Sequence, residues 1–130
     1  MFGLEASEPA KKSLKIFQDN NINTIIELGA GLGRDSIFFS LNNLSLTSLD
    51  YSQSAINIIN KKINNAKLKN ISTKVFDVRQ KLPFEDNSID GCFSHMLYCM
   101  ALSNQDLFNL NREICRILKP EGLNIYTVRN

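Results

Sequence analysis

Short β-branched runs alternate with segments of helical periodicity along most of the 130-residue chain. Successive runs are a dozen or more residues apart, which is the spacing that a parallel strand pair with a helical crossover requires. Such crossovers are almost always right-handed. The pattern therefore predicts an α/β fold, a three-layer open and mainly parallel sheet with helices on both faces. The predicted strands are 24–28, 44–49, 71–76, 89–94 and 123–128, with a turn at 119–122, and the predicted helices begin at Ser7, Arg34, Ser52 or Ser54, and Ser103.

The composition is that of an ordinary globular domain. Hydrophobic residues make up 43% of the chain and charged residues 22%, which is enough apolar material to form a core. We expect a single domain over residues 1–130, with 1–22 as an N-terminal helical segment. The formal net charge of +2 indicates neither a nucleic-acid partner nor a membrane partner. No run approaches the ~18 apolar residues that a membrane span needs.

The three cysteines are odd in number and are not spaced as metal ligands. Reduced thiols in a cytoplasm are the simplest account of them, and the N-terminus shows no secretory signal. We therefore expect a cytoplasmic protein without a metal site. The cysteines are Cys92, Cys99 and Cys115.

A glycine-rich loop joins the first predicted strand to the next helix. It reads E-x-G-x-G-x-G from Glu27 to Gly33, and glycines there permit positive φ angles and the close approach of a ligand. The dinucleotide fingerprint G-x-G-x-x-G would place its third glycine where Arg34 stands. An acid at the end of the strand suits a ligand with a positive ammonium and sulfonium and no phosphate. The loop thus favours S-adenosylmethionine (SAM) over NAD, and a nicotinamide-dependent oxidoreductase is the less favoured alternative.

Two further acids end the second and third strands. Asp50 lies about twenty residues past the first glycine, where a carboxylate can accept both ribose hydroxyl protons of either ligand. Asp77 can accept from the adenine amino group, while the backbone N–H of Val78 can donate to the adenine ring. The dinucleotide pattern does not call for this third acid, so Asp77 favours SAM.

Four segments in order resemble the motifs of class I SAM-dependent methyltransferases, and the resemblance covers nearly all of the chain from Thr24 onward. The continuation GRDSIFF and the ending VRN are most similar to the small methyltransferases grouped with tellurite-resistance proteins. The segments are IIELGAGLGRDSIFF, LTSLDYSQSAI, VFDVRQKLPFEDNSIDGCFS and REICRILKPEGLNIYTV.

The resemblance implies a role for each matching residue. The loop glycines would surround the methionine part of SAM, and Glu27 would orient the loop and the amino group of the cofactor. Asp50 would hold the ribose, and Asp77 with Val78 the adenine. Tyr51 would pack beside the adenine or ribose. The predicted cofactor-binding set is Glu27, Gly29, Ala30, Gly31, Gly33, Asp50, Tyr51, Asp77, Val78 and Ser94.

Each of these assignments has a structural alternative. The glycines could serve the turn alone. Glu27 could be only a partner of a helix dipole. Asp50 precedes Ser52 and could itself cap a helix, and Asp77 could be an ordinary loop carboxylate.

Methyl transfer from a sulfonium mainly requires alignment of donor and acceptor, so no catalytic residue needs to stand out. His95, the only histidine, is the one candidate for a general base near the acceptor, and a satisfied or solvent-facing histidine is the alternative. A nucleophilic pair of His95 with Cys99 is disfavoured because the family transfers the methyl group directly. Tyr98 would lie near the substrate mouth.

Class I enzymes continue after the fifth strand with one more helix and an antiparallel pair of strands. The sequence ends at Asn130, so we expect a truncated Rossmann-like methyltransferase core that lacks those strands. Its fifth strand would be an exposed edge, and such edges pair with other chains, which suggests a homodimer. The expected function is SAM-dependent methyl transfer to a small-molecule acceptor. A SAM-binding module or fragment without activity of its own is the alternative.

Overall fold

The computed structural model describes residues 5–97 and 102–128. Within these ranges the chain forms four helices and five strands, and the strands make one parallel sheet in the order β3-β2-β1-β4-β5. This confirms the predicted α/β fold. The elements are α1 (Glu8–Asp19), β1 (Thr24–Leu28), α2 (Arg34–Leu41), β2 (Ser45–Asp50), α3 (Gln53–Ala66), β3 (Ile71–Val75), β4 (Ile89–Ser94), α4 (Asn104–Ile117) and β5 (Leu118–Tyr126).

Two apolar clusters cover the two faces of the sheet. Neighbouring residues of a strand point to opposite faces, and Ile25 and Ile26 of β1 accordingly belong to different clusters. The first cluster joins the sheet to α1 and α2 through contacting aromatic rings, and those of Phe39 and Phe93 meet edge to face with their centroids 5.1 Å apart. The second joins it to α4, where Ile114 is buried. Helices therefore lie on both faces, as predicted.

Serine side chains cap three of the four helices at their N-termini. Ser7 caps α1, and Ser52 rather than Ser54 caps α3, each by accepting a hydrogen bond from a backbone N–H in the first turn. Ser103 forms a capping box with Asp106, in which each side chain accepts from the backbone N–H of the other residue. Such caps satisfy the free N–H groups at a helix start.

The last strand begins earlier than the sequence predicts. Leu118 already pairs with Ile89, and the register then shifts so that Leu123 pairs with Gly91. Residues 119–122 are therefore an irregularity within β5 rather than a separate turn, and the prediction of a strand start at 123 is wrong. The prediction failed because Leu118 pairs with Ile89, 29 residues away in sequence, and such a long-range pairing is not visible in the local sequence.

All five strands are parallel, so their carboxyl ends meet at one edge of the sheet. The loops after β1, β2, β3 and β4 consequently converge there, which is where ligands bind in open α/β sheets. None of the helices in the described ranges is both long enough and apolar enough to cross a bilayer.

Candidate cofactor-binding site

The three loop glycines all have positive φ angles, of 73°, 58° and 85° at Gly29, Gly31 and Gly33, but they serve different purposes. A Cβ atom on Gly33 would lie 2.7 Å from Cγ1 of Ile59, so this glycine permits the loop before α2 to lie close against α3. A Cβ atom on Gly31 would meet nothing within 4 Å. Gly31 therefore leaves open space above the loop, where a ligand can approach the backbone.

Glu27, at the end of β1, is buried and receives a hydrogen bond from Ser36 of α2, which in turn accepts one from Ser48 of β2 at 2.9 Å. No ion pair in the described part of the chain joins Glu27 to a cation. Burial raises the pKa of the Glu27 carboxyl from 4.5 to about 8, and the nearby Asp35 and Asp50 add to the rise. Glu27 is thus a buried acid that an ammonium group would suit. The two serines were not predicted, because their roles depend on contacts between separate elements.

Asp50 holds the glycine loop against the end of β2. Its Oδ2 accepts from Gly31 N at 2.8 Å and its Oδ1 accepts from Ser52 N at 2.9 Å. Asp50 is thus bonded directly to the backbone of the glycine loop. Ser52, and not Asp50, caps α3. Each carboxylate oxygen can accept more than one hydrogen bond, so Asp50 can also receive ribose hydroxyls.

Asp77, which follows β3, forms a bidentate ion pair with Arg79. Oδ1 of Asp77 accepts from Nε of Arg79 at 3.0 Å and Oδ2 accepts from Nη2 at 2.8 Å. These bonds hold the pKa of the Asp77 carboxyl below its ordinary value. Arg79 was not predicted, because its only local signal is its position two residues after the acid.

Two adjacent cavities open along the carboxyl edge of the sheet, and Gly29 lines both. The first has a volume of about 250 Å³ and contains the acidic end of the site, with His95 opposite the loop. The second, of about 220 Å³, contains the two strand-end acids and is mostly apolar. The first cavity is lined by Glu27, Gly29, Ala30, Gly31, Leu32, Arg34, Asp35 and His95, and the second by Gly29, Asp50, Tyr51, Phe76, Asp77, Val78, Arg79, Leu97 and Leu102.

All the predicted cofactor-binding residues line one of these cavities except two. Gly33 contacts α3 instead. Ser94 is buried at the end of β4, and its Oγ has no hydrogen-bond partner within the described residues. The cavities are also lined by residues that were not predicted to bind the cofactor, chiefly Arg34, Phe76 and Leu97.

His95 is half-buried, and its Nδ1 lies 2.7 Å from Oγ1 of Thr127. Cys99, the nucleophilic partner considered for His95, and Tyr98 lie outside the described residues.

Cys92 is buried on β4, and burial raises the pKa of its thiol, so it stays protonated and unreactive.

Comparisons with known proteins identify relatives of this chain. The family model described as a methyltransferase domain matches residues 25–122. Phosphoethanolamine N-methyltransferase 1 of Triticum aestivum is 37% identical over 100 residues, which cover 76% of this chain and 20% of the wheat protein. A structure assigned to an S-adenosyl-L-methionine-dependent methyltransferase of Methanococcus maripaludis superposes with a TM-score of 0.78 at 29% identity, covering 92% of this chain and 54% of that one. TehB of Haemophilus influenzae superposes with a TM-score of 0.81 at 22% identity, covering 93% and 40%.

The chain thus spans about half the length of these two structures and a fifth of the wheat enzyme. The family model nevertheless covers most of the chain, from the first strand to the bulge in the fifth. The acid-and-glycine loop, the strand-end acids and the sheet order all lie within that match. The chain belongs to the methyltransferase domain family, the class I SAM-dependent methyltransferases.

Proposed function

We propose that this domain binds SAM across the two adjacent cavities and transfers its methyl group to a small-molecule acceptor. The observation that carries the proposal is the shared wall at Gly29, which joins a cavity with a buried acid to one with two further acids. An extended ligand with a cationic end and an adenosine end matches that division. A dinucleotide would instead bring a pyrophosphate into the region of Glu27 and its neighbouring acids Asp35 and Asp50, which electrostatics disfavour.

The residues present fit the cofactor at both ends. Glu27 would receive the ammonium group, and the open face of Gly31 would accommodate the methionine chain. Asp50 would accept ribose hydroxyls. Asp77 and Val78 would face the adenine, with Phe76, Leu97 and Leu102 supplying apolar surface around it.

The chemistry that the cofactor supplies is an electrophilic methyl group on a sulfonium, with S-adenosylhomocysteine as the product. The protein needs to hold donor and acceptor in line, an effect that can lower the barrier by ~7–11 kcal/mol in favourable cases. The buried end of β1 and the packed loop fix the cofactor side of that alignment. Buried Leu97 keeps water from one wall of the adenosine cavity.

We propose a small molecule as the methyl acceptor. The name of the wheat relative suggests phosphoethanolamine as the first compound to test. A SAM-binding module without transferase activity is the second candidate. It is supported by the two cavities, whose residues are assigned above to the cofactor and not to an acceptor. A cytoplasmic location stays a prediction.

An assay with SAM labelled in its methyl group tests the proposal. We expect label in one member of an acceptor panel that includes phosphoethanolamine, and loss of that transfer in Asp50→Ala. Asp19→Ala, which changes an exposed aspartate at the end of α1, should transfer at the wild-type rate. Binding of S-adenosylhomocysteine without transfer to any acceptor would favour the binding module instead.

A further inference from the structure

Three hydrogen bonds tie Thr127, just after β5, to the chain that leaves β4. The backbone N–H of Thr127 donates to the carbonyl of Ser94 at 3.2 Å, and the N–H of Met96 donates to Oγ1 of Thr127 at 2.8 Å. The third bond joins Oγ1 to Nδ1 of His95 at 2.7 Å. Met96 has a φ of 67°, a costly conformation that persists only where its surroundings enforce it. Thr127 therefore fixes the turn that carries His95.

The proton positions in this cluster follow from the donors and acceptors present. A threonine hydroxyl has one proton to donate and two lone pairs, and the Met96 N–H already takes one lone pair. Within residues 5–97 and 102–128, Nδ1 of His95 is the only other group at hydrogen-bond distance from Oγ1. If Nδ1 carried a proton, the hydroxyl proton would have no acceptor there. The arrangement that satisfies every group has Thr127 donating to Nδ1.

We infer that Thr127 is a positioning residue that keeps the proton of neutral His95 on Nε2, so that His95 is a hydrogen-bond donor to an anionic oxygen in the first cavity. Nδ1 is engaged by Thr127, so only Nε2–H remains for a molecule in that cavity, which His95 lines with Glu27 and Arg34. An N–H group binds a carboxylate or phosphate oxygen, not an ammonium. This replaces the general-base role that the sequence suggested for His95. The claim that His95 contacts a bound ligand rests on the proposed function.

Two sources could supply the oxygen, namely the carboxylate of the methionine part of the cofactor or an oxygen of the acceptor. The shared chemistry is an oxygen lone pair directed at Nε2–H. The two sources are separable because 5′-methylthioadenosine keeps the adenosine part of the cofactor and lacks the carboxylate.

The proton position can be measured directly because the chain has one histidine. Nitrogen NMR of the ¹⁵N-labelled protein at alkaline pH, where histidine is neutral, should show a protonated Nε2 and a bare Nδ1. Thr127→Ser keeps the hydroxyl and should leave this pattern unchanged, whereas the equally shaped Thr127→Val should shift population toward the other tautomer. Circular dichroism confirms that both variants fold. A proton on Nδ1 in the wild type, or identical spectra for Thr127→Val and wild type, would overturn the inference without bearing on SAM binding.

The role of the donor is tested by binding S-adenosylhomocysteine and 5′-methylthioadenosine to two variants. The amide of His95→Gln can replace the Nε2–H donor, whereas His95→Leu has none. If the oxygen belongs to the cofactor, His95→Leu should weaken S-adenosylhomocysteine on the order of tenfold, His95→Gln should weaken it little, and 5′-methylthioadenosine should be unaffected. If neither variant changes the affinity, the donor serves the acceptor and His95→Gln should preserve methyl transfer better than His95→Leu. Equal losses in both variants would contradict a donor role, and failure of the wild type to bind S-adenosylhomocysteine would count against the proposed function alone.

Discussion

At the scale of single residues, the most unusual group is the buried carboxyl of Glu27. Its neighbours are two serine hydroxyls and two further acids, Asp35 and Asp50, so the folded protein disfavours its ionised form. An ammonium group bound beside Glu27 would favour the ionised form and so lower its pKa.

The first prediction concerns the pH dependence of stability. The pKa of Glu27 is raised from 4.5 to about 8 on folding, so between these values the folded state holds one more proton than the unfolded state. The contribution of Glu27 to the free energy of unfolding is therefore full below about pH 4.5 and is lost as the pH rises through about 8. In urea denaturation across this pH range, the free energy of unfolding of Glu27→Gln should fall less steeply with pH than that of the wild type. Glu85→Gln, at an exposed loop position, should keep the wild-type slope, and an unchanged slope in Glu27→Gln would contradict the assignment.

The second prediction concerns the pair of Asp77 and Arg79. Arg79 holds the Asp77 carboxylate in place through two hydrogen bonds, so Arg79→Met should weaken the binding of S-adenosylhomocysteine by roughly three- to tenfold, the effect of a lost charge-assisted hydrogen bond. Fluorescence or calorimetric titration measures this. Arg112→Met, on the exposed face of α4 over Phe108, is the control and should bind normally. Equal affinity of Arg79→Met and wild type would show that the ion pair does not support the site.

The residues of the site could be predicted where a local sequence pattern marks their position. The glycine loop and the two strand-end acids stand at fixed offsets from apolar runs, so their place at the carboxyl edge followed from the pattern. Thr127, Ser36 and Ser48 were not predictable. Thr127 contacts His95 across 32 residues of sequence, and no sequence pattern predicts a contact between residues so far apart.

At the scale of elements, the close approach of the glycine loop to α3 depends on Gly33, which lines neither ligand cavity. The periodic patterns predicted the helices, and most strand bounds to within one residue, since each apolar stripe is visible in sequence. They did not predict why Gly33 is needed, because the clash with Ile59 exists only once the loop and α3 are brought together. They also missed the start of β5 for the same reason.

The third prediction compares alanine at two loop glycines. Both positions have positive φ, which costs alanine about 1–2 kcal/mol, but only Gly33→Ala also collides with Ile59, for which overpacking adds about 1–3 kcal/mol. Gly33→Ala should therefore lower the free energy of unfolding more than Gly31→Ala, as chemical denaturation would show. Adding Ile59→Ala should cost less in the Gly33→Ala background than in the wild type. Equal destabilisation by the two alanines would contradict the packing role of Gly33.

At the scale of the whole molecule, β5 has a single neighbour, β4, in the described sheet. A strand edge offers unpaired N–H and C=O groups to another chain, and the exposed side chains of Tyr126 and Val128 lie at its end. We propose that this edge pairs with a second copy. Light scattering over a concentration series should show the mass rising toward that of a dimer.

A charge at the edge should prevent this association. Tyr126→Lys, at the exposed last residue of β5, should stay monomeric, since lysine at an edge strand opposes pairing. Ile16→Lys, at an exposed position of α1, should associate like the wild type. A wild type that remains monomeric at high concentration would be inconsistent with the proposal.

The most direct test of the central claim is calorimetric titration of the protein with S-adenosylhomocysteine and with NADH. The loop that begins at Glu27 should accept the first ligand and reject the second, because a buried acid meets an ammonium in one case and a pyrophosphate in the other. Asp50→Ala should weaken S-adenosylhomocysteine at least about tenfold, and Asp19→Ala should not. Tighter binding of NADH, or the same affinity for S-adenosylhomocysteine in Asp50→Ala as in the wild type, would contradict the account.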